Sequence, residues 1–207
     1  MDHLKTEPGE LQHENISRRG DWMQTYSGRI FYPLDPRPED IDIEDIAHAL
    51  SLQCRFNGHC RTFYSVAEHS VRVSELLPRE FALWGLLHDA AETYLGDLVR
   101  PIKRQAEFSH YREHERVIEA AVATKFALYP TEIPRQVRHA DDVLLATERR
   151  DLLGSNPAPW ESLPPPLPAT IEPLVSPSAA EAAFLWRFCE LTGETLARCF
   201  NSNRQDS

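Results

Sequence analysis

The residues of this chain best suited to chemistry are His69, in the run Ser65-Val66-Ala67-Glu68-His69-Ser70, and the adjacent pair His88-Asp89. That pair opens the string His88-Asp89-Ala90-Ala91-Glu92-Thr93-Tyr94-Leu95-Gly96-Asp97. A later segment, Val137-Arg138-His139-Ala140-Asp141-Asp142, adds Asp141 or Asp142. Together they offer two imidazoles and two carboxylates, enough to hold one divalent metal ion without a thiolate. The set suits Mn²⁺, Co²⁺, Zn²⁺, Fe²⁺ or Ni²⁺, and affinity alone does not choose among them, because metal availability weighs as much. Activation of water by such an ion makes hydrolysis the expected chemistry.

Ligands must sit on elements that do not drift, and packed helices meet that need. Apolar residues at 43, 46, 47, 49, 50 and 52 predict a helix over Asp42–Leu52, capped by Asp42 or Asp45. The repeat at 66, 67, 71, 73, 76 and 77 predicts a second over Tyr64–Leu77, ending at Pro78 and carrying His69. Phe81–Leu95 reads as one strongly buried helix carrying His88, Asp89 and Glu92, stopped by Gly96. His88 and Asp89 are then about 100° apart around the axis, so both reach one ion only at the rim of the buried face. Glu92, four residues after His88, lies one turn along on the same face, where it could hold or deprotonate a water beside the ion.

Two more helices are expected over His110–Leu128 and Pro134–Leu153, the latter bringing in Asp141. A final helix, Ser178–Thr192, has Ser178 and Glu181 at capping-box spacing. Gly28–Pro38, with its prolines and alternating aromatic residues, predicts an extended or short hairpin segment. Eight of the sixteen prolines fall between Pro157 and Pro177, so that stretch is expected to be an irregular or polyproline-like arm. The expected organisation is a polar, disordered tail over 1–20, a catalytic domain over 21–153, the proline-rich arm over 154–177, and a C-terminal helix and tail over 178–207.

The order His, His-Asp, Asp within helical sequence resembles the HD-domain metal-dependent phosphohydrolase superfamily. His88-Asp89-Ala90-Ala91-Glu92 followed by Gly96-Asp97 is similar to the branch of 5'-deoxynucleotidases and phage dATP triphosphohydrolases. The resemblance covers about residues 45 to 153 and implies an all-α, HD-type helical bundle. It implies His69, His88, Asp89 and Asp141 as metal ligands, because Ala140-Asp141 with Thr147-Glu148-Arg149 fits the family pattern. It also implies catalytic roles for Glu92 and Asp97. The family's Arg-Trp pair, which touches phosphate and sugar, is matched by Arg55-Phe56, displaced by about one position and with the aromatic residue changed. His59, Arg61, Arg100 and Lys103 are further candidates for contact with phosphate.

His110 and His114 form a second i, i+4 pair, but Tyr111, Arg112, Glu113, Glu115 and Arg116 around them describe a wet helix face. His48 and His139 read as core residues or as supports behind the ligands. The four cysteines, Cys54, Cys60, Cys189 and Cys199, form no Cys-x-x-Cys pair and read as free buried thiols.

At 207 residues, 42% apolar and 26% charged, the composition is that of a soluble protein, and no apolar run approaches the ~20 residues that span a bilayer. The start Met1-Asp2-His3-Leu4-Lys5 has no secretory character, so a cytoplasmic location is expected. A net charge of -10 disfavours long nucleic acids as partners. A single nucleotide remains compatible, since an ion and a few local cations neutralise its phosphate.

The leading expectation is thus a phosphohydrolase of a small nucleotide, with no membrane partner and a homo-oligomeric state. A 5'-deoxynucleotidase is preferred over a dNTP triphosphohydrolase, and a non-catalytic nucleotide-binding regulator is the alternative of a different class. Alarmone hydrolases of the superfamily carry His-Asp-x-x-Glu-Asp, whereas Thr93 follows Glu92 here, and the Gly-Tyr-Pro signature of its cyclic-dinucleotide phosphodiesterases is absent.

Overall fold

The computed structural model describes residues 18–155, 157–158, 160, 163–174 and 176–195, and these are mostly helical. The one sheet among them is an antiparallel hairpin, β1 (Met23–Gln24) with β2 (Ile30–Phe31), pairing Met23 with Phe31 and Gln24 with Ile30. The predicted extended segment therefore supplies the second strand, and the first lies before Gly28. Asp45 fixes the hairpin by accepting from the Ser27 amide (2.6 Å) and hydroxyl (2.9 Å). Phe31, fully buried, stacks on Tyr94 with ring centroids 3.7 Å apart.

The helices are α1 (Ile43–Leu52), α2 (Val66–Glu75), α3 (Arg79–Leu87), α4 (Glu92–Leu95), α5 (Arg100–Lys103), α6 (Ser109–Lys125), α7 (Arg135–Leu152) and α8 (Pro177–Thr192). Helix α2 lies at the centre, packed on α3, α8, α1 and α7. Its start is set by Ser65, whose hydroxyl accepts from the Glu68 amide at 3.1 Å, an N-cap that satisfies one of the amides no helical carbonyl can reach. Asp42 does the same for α1. Helix α8 begins at Pro177, capped by Ser176 rather than Ser178. Ser176 Oγ accepts from the Ala179 amide, while Glu181 turns to His48 at 3.3 Å instead of closing a capping box.

The predicted helix Phe81–Leu95 is interrupted. Helix α3 stops at Leu87, residues 88–91 form a turn, and α4 begins at Glu92. The cause is a side chain: His88 Nδ1 donates to the Gly85 carbonyl at 2.8 Å, the acceptor that a continuing α-helix would offer to the amide of Asp89. Beyond it the backbone tightens to three-residue steps, with the amides of Ala90, Glu92, Thr93 and Tyr94 bonded to the carbonyls of Leu87, Asp89, Ala90 and Ala91.

Gly85 also decides how closely α3 approaches α2. A Cβ there would stand 2.5 Å from Leu77 Cδ1 and 3.0 Å from Ser74 Cα, so glycine lets the two helices meet one turn before His88. Among the described residues, 163–174 form no helix or strand. Side chains of α2 and α7 satisfy their backbone groups: Glu68 accepts from the Leu174 amide (3.0 Å), Asp151 from the Ile171 amide (2.9 Å), and Arg150 donates to the Leu167 and Ala169 carbonyls. The expected tail falls almost wholly on residues 1–17, and Cys199 falls within 196–207, all outside the described residues.

Candidate metal centre

Three helices and one loop deliver the site. Helix α2 buries His69 completely, α3 ends at Leu87 with His88 as its C-terminal cap residue, and α7 presents Asp141. Arg55 arrives on a 3-10 turn, Arg55–Gly58, held against the start of α2 by an isolated bridge between Cys54 and Ser65. The Arg55 amide donates to the Tyr64 carbonyl and the Val66 amide to the Gln53 carbonyl, both at 2.9 Å.

The ligand atoms of His69, His88 and Asp141 all lie within 4.8 Å of one another. Donors sharing one ion at metal–nitrogen and metal–oxygen bonds of about 2.1 Å are at most about 4.2 Å apart, so only small adjustments separate this arrangement from a closed shell. His69 Nε2 is 3.2 Å from Asp141 Oδ1. Asp89 joins from the turn after α3, its Oδ2 3.3 Å from His88 Nε2 and 3.8 Å from His69 Nε2.

Both imidazoles are aimed from behind. His69 Nδ1 lies 2.5 Å from Glu148 Oε1, and His88 Nδ1 lies 2.8 Å from the Gly85 carbonyl. With Nδ1 donating, the neutral form of each ring has its lone pair on Nε2, and both Nε2 atoms are buried without a hydrogen-bond partner. Unpartnered buried nitrogens are costly unless something binds them. A cation is what the surrounding Asp89 and Asp141 carboxylates fit.

Charge is balanced through Glu148, which is fully buried and pairs with His69 and, at 3.0 Å, with Arg55 Nη2. Burial alone would raise the Glu148 pKa, but Arg55 and His69 outweigh it and bring the carboxyl down to about 2. Burial and the Arg55 charge push His69 down, yet Glu148 and Asp141 overcome both and lift it to about 9. Burial likewise disfavours the Asp141 carboxylate, and the close approach of His69 Nε2 at 3.2 Å, with the charges of His88 and Arg55, reverses the sign and lowers its pKa. Arg55 keeps its charge despite burial because Glu148, Asp89, Asp141 and Glu92 surround it.

Sequence reasoning uses Glu148 only to register the family pattern. Its position seven residues after Asp141 on α7 puts the two on one helix face, and that spacing was the available signal.

The interruption after Leu87 changes how Asp89 and Glu92 are placed. They do not lie on one continuous helix with His88, and the turn carries Asp89 to the ligands while Glu92 opens α4. Glu92 is buried with Oε2 unpartnered, and burial followed by the charges of Asp89 and Asp97 holds its carboxyl well above the usual range. Asp97 is exposed just past Gly96, which has φ +69°. Asp142 is half-buried beside Asp141 and is not part of the ligand cluster.

Phe56 sits under the Arg55 guanidinium, 5.4 Å from its ring centroid, and takes a left-handed backbone with φ 53°. Lys103 pairs with Glu115 and lies within electrostatic reach of Glu92 and Asp97. His59, Arg61 and Arg100 are exposed, and Arg61 faces a separate cleft beside α7.

Of the remaining histidines, His110 is exposed, as its neighbours predict, and approaches Glu113 at 3.6 Å. His139 is also exposed, contrary to the core or supporting role expected of it, because it falls on the outer face of α7. His48 stacks on Tyr26 with centroids 3.6 Å apart and pairs with Glu181, so it supports the hairpin and α8, not the ligands. Cys54 is exposed, and Cys60 and Cys189 are half-buried, which corrects the expectation of buried thiols at these three positions.

Two proteins are similar over much of their length. The uncharacterized protein YfdR of Escherichia coli K12 is 40% identical over 174 residues, which are 83% of this chain and 96% of YfdR. The uncharacterized protein RCAP_rcc00048 of Rhodobacter capsulatus is 40% identical over 149 residues, 66% of this chain and 76% of that protein. No family model matches the chain.

Proposed function

The chain belongs to the same family as YfdR, and for it we propose a metal-dependent phosphohydrolase of the HD type that acts on a small nucleotide, as a 5'-deoxynucleotidase releasing phosphate. The observation that carries this reading is the pair of buried, unpartnered Nε2 atoms on His69 and His88 facing Asp89 and Asp141. These four residues would hold the ion, which when bound supplies Lewis acidity and a more acidic water. The order of the four along the chain, with Glu92 and Asp97, supports the HD-type reading.

The remaining steps fall to the chain's own groups. Arg55, fixed between Glu148 and Asp89, would meet the negative charge of a phosphoryl group and orient it. Glu92, buried and with one oxygen unpartnered, would in its ionised form take up the proton of the attacking water, and its raised pKa makes that carboxylate a stronger base. Lys103, near Glu92 and Asp97, limits the repulsion among these acids. Phe56 beside Arg55 would pack against the sugar or base.

The test is a screen of the purified protein against nucleoside and deoxynucleoside mono- and triphosphates with Mn²⁺, Co²⁺ and Mg²⁺, with phosphate, pyrophosphate and triphosphate quantified separately. Phosphate from deoxynucleoside monophosphates supports the proposal. Triphosphate released from dATP would replace it with a triphosphohydrolase. Nucleotide binding with no turnover under any metal would replace it with a regulator.

A further inference from the structure

We propose that the cleft between α7 and the proline-rich segment is a second ligand site, which takes a planar aromatic anion of nucleotide size. The cleft encloses about 460 Å³, within the ordinary range of small-molecule sites. None of the metal-centre donors lines it, and the inference does not depend on the hydrolase reading.

Its lining runs against the composition of the chain. The sequence holds 32 acidic residues against 22 Lys and Arg, yet the described lining residues include Arg61, Arg149 and Arg150 and no Asp or Glu. The three arginines are not equivalent. Arg150 is committed to Asp151 and to the carbonyls of Leu167 and Ala169, so it holds the wall in place. Arg61 and Arg149 have no carboxylate partner among the described residues. Two guanidinium groups facing one concavity, without a counter-charge among the described residues, set up a positive potential that an anion relieves. Their planar forks suit phosphate or carboxylate oxygens.

The aromatic half comes from Trp160, 40% exposed although large and apolar. Its indole lies 5.5 Å from the Arg149 guanidinium and tilts against Phe56 at 6.3 Å between centroids. An exposed indole flanked by a cation, with Leu153 and Leu163 also in the lining, gives a flat ring both stacking and apolar contact. A ring and an anion on one molecule answer both features, and either alone answers half.

The experiment is calorimetric titration of the full-length protein, stripped of metal with chelator, with AMP, adenosine and inorganic phosphate as probes. AMP is expected to bind more tightly than either fragment, and more weakly as salt rises. Arg149→Ala and Trp160→Ala are each expected to weaken AMP at least about tenfold, whereas Arg79→Ala, which removes an exposed arginine outside the cleft, leaves it unchanged. Arg149→Lys keeps the charge and helix while losing the fork, so it is expected to fall between wild type and Arg149→Ala and guards against misfolding as the cause. The proposal is overturned if stripped wild type does not bind AMP, if the cleft variants bind it as wild type does, or if Arg79→Ala weakens it as much as the cleft variants do. A failed nucleotidase assay leaves these outcomes unaffected.

Discussion

Replacing Glu148 with glutamine keeps the shape of the residue that supports the whole site and removes only its charge. In the wild type Glu148 is fully buried and joins His69 Nδ1 to Arg55. Glutamine retains an oxygen to accept from His69, so the loss falls on Arg55, left with Asp89 at 3.7 Å as its nearest charge. Removing one partner of a buried pair costs about 3 to 5 kcal/mol. The lowering of the carboxyl from 4.5 to about 2 corresponds to a cost of the same order, about 3 kcal/mol. Because the folded pKa is depressed, this stability is complete above about pH 4.5 and is lost as the pH falls through about 2.

Urea unfolding of metal-free wild type and Glu148→Gln at pH 7 and pH 3 measures both. The variant is expected to be about 3 to 5 kcal/mol less stable at pH 7, with the gap narrowing by more than half at pH 3. A difference below about 1 kcal/mol at pH 7, or one independent of pH, would refute Glu148 as the buried counter-charge.

Three further outcomes follow from the same geometry. His69 stands at about 9 in the absence of metal, a raised value, so its contribution to apo-protein stability is present below about 6.5 and lost as the pH rises through about 9. Metal must displace that proton, so calorimetry at pH 7.5 in buffers of different ionisation enthalpy is expected to show proton release on binding, and none would place the metal elsewhere. Gly85→Ala is expected to cost about 1 to 3 kcal/mol in urea unfolding and to weaken metal affinity, since the added methyl separates α3 from α2 just before His88; unchanged stability and affinity would show that the close approach is dispensable. Glu92→Ala is expected to reduce turnover about 10²- to 10⁴-fold while metal and nucleotide affinity hold, and unchanged turnover would remove it from the mechanism.

Much of this arrangement is legible in the sequence because periodicity and caps are local. Asp42 caps α1 through a nearby amide, as its position predicts, and the apolar repeats of α6 and α7 fix those helices to within a few residues. The break after Leu87 is not legible, because an imidazole captures a carbonyl and the apolar run around it continues unbroken. Ser176 displaces Ser178 as the cap of α8 because Pro177 is readily accommodated in the first turn. His69, His88 and an aspartate at 141 or 142 are readable as candidate ligands from residue type and order, and the family resemblance is what selects Asp141. Glu148 is harder to find, since its role depends on Arg55 approaching from a loop 93 residues away in sequence.

The metal centre itself is tested most directly by equilibrium dialysis of the purified protein against Mn²⁺, Co²⁺ and Zn²⁺, followed by elemental analysis of wild type, His88→Ala, Asp141→Asn and Asp142→Asn. The account predicts one ion per chain in wild type and in Asp142→Asn, and loss of that ion in His88→Ala and Asp141→Asn with the helical circular-dichroism spectrum retained. Equal metal content in all four proteins, or loss in Asp142→Asn with retention in Asp141→Asn, would contradict it.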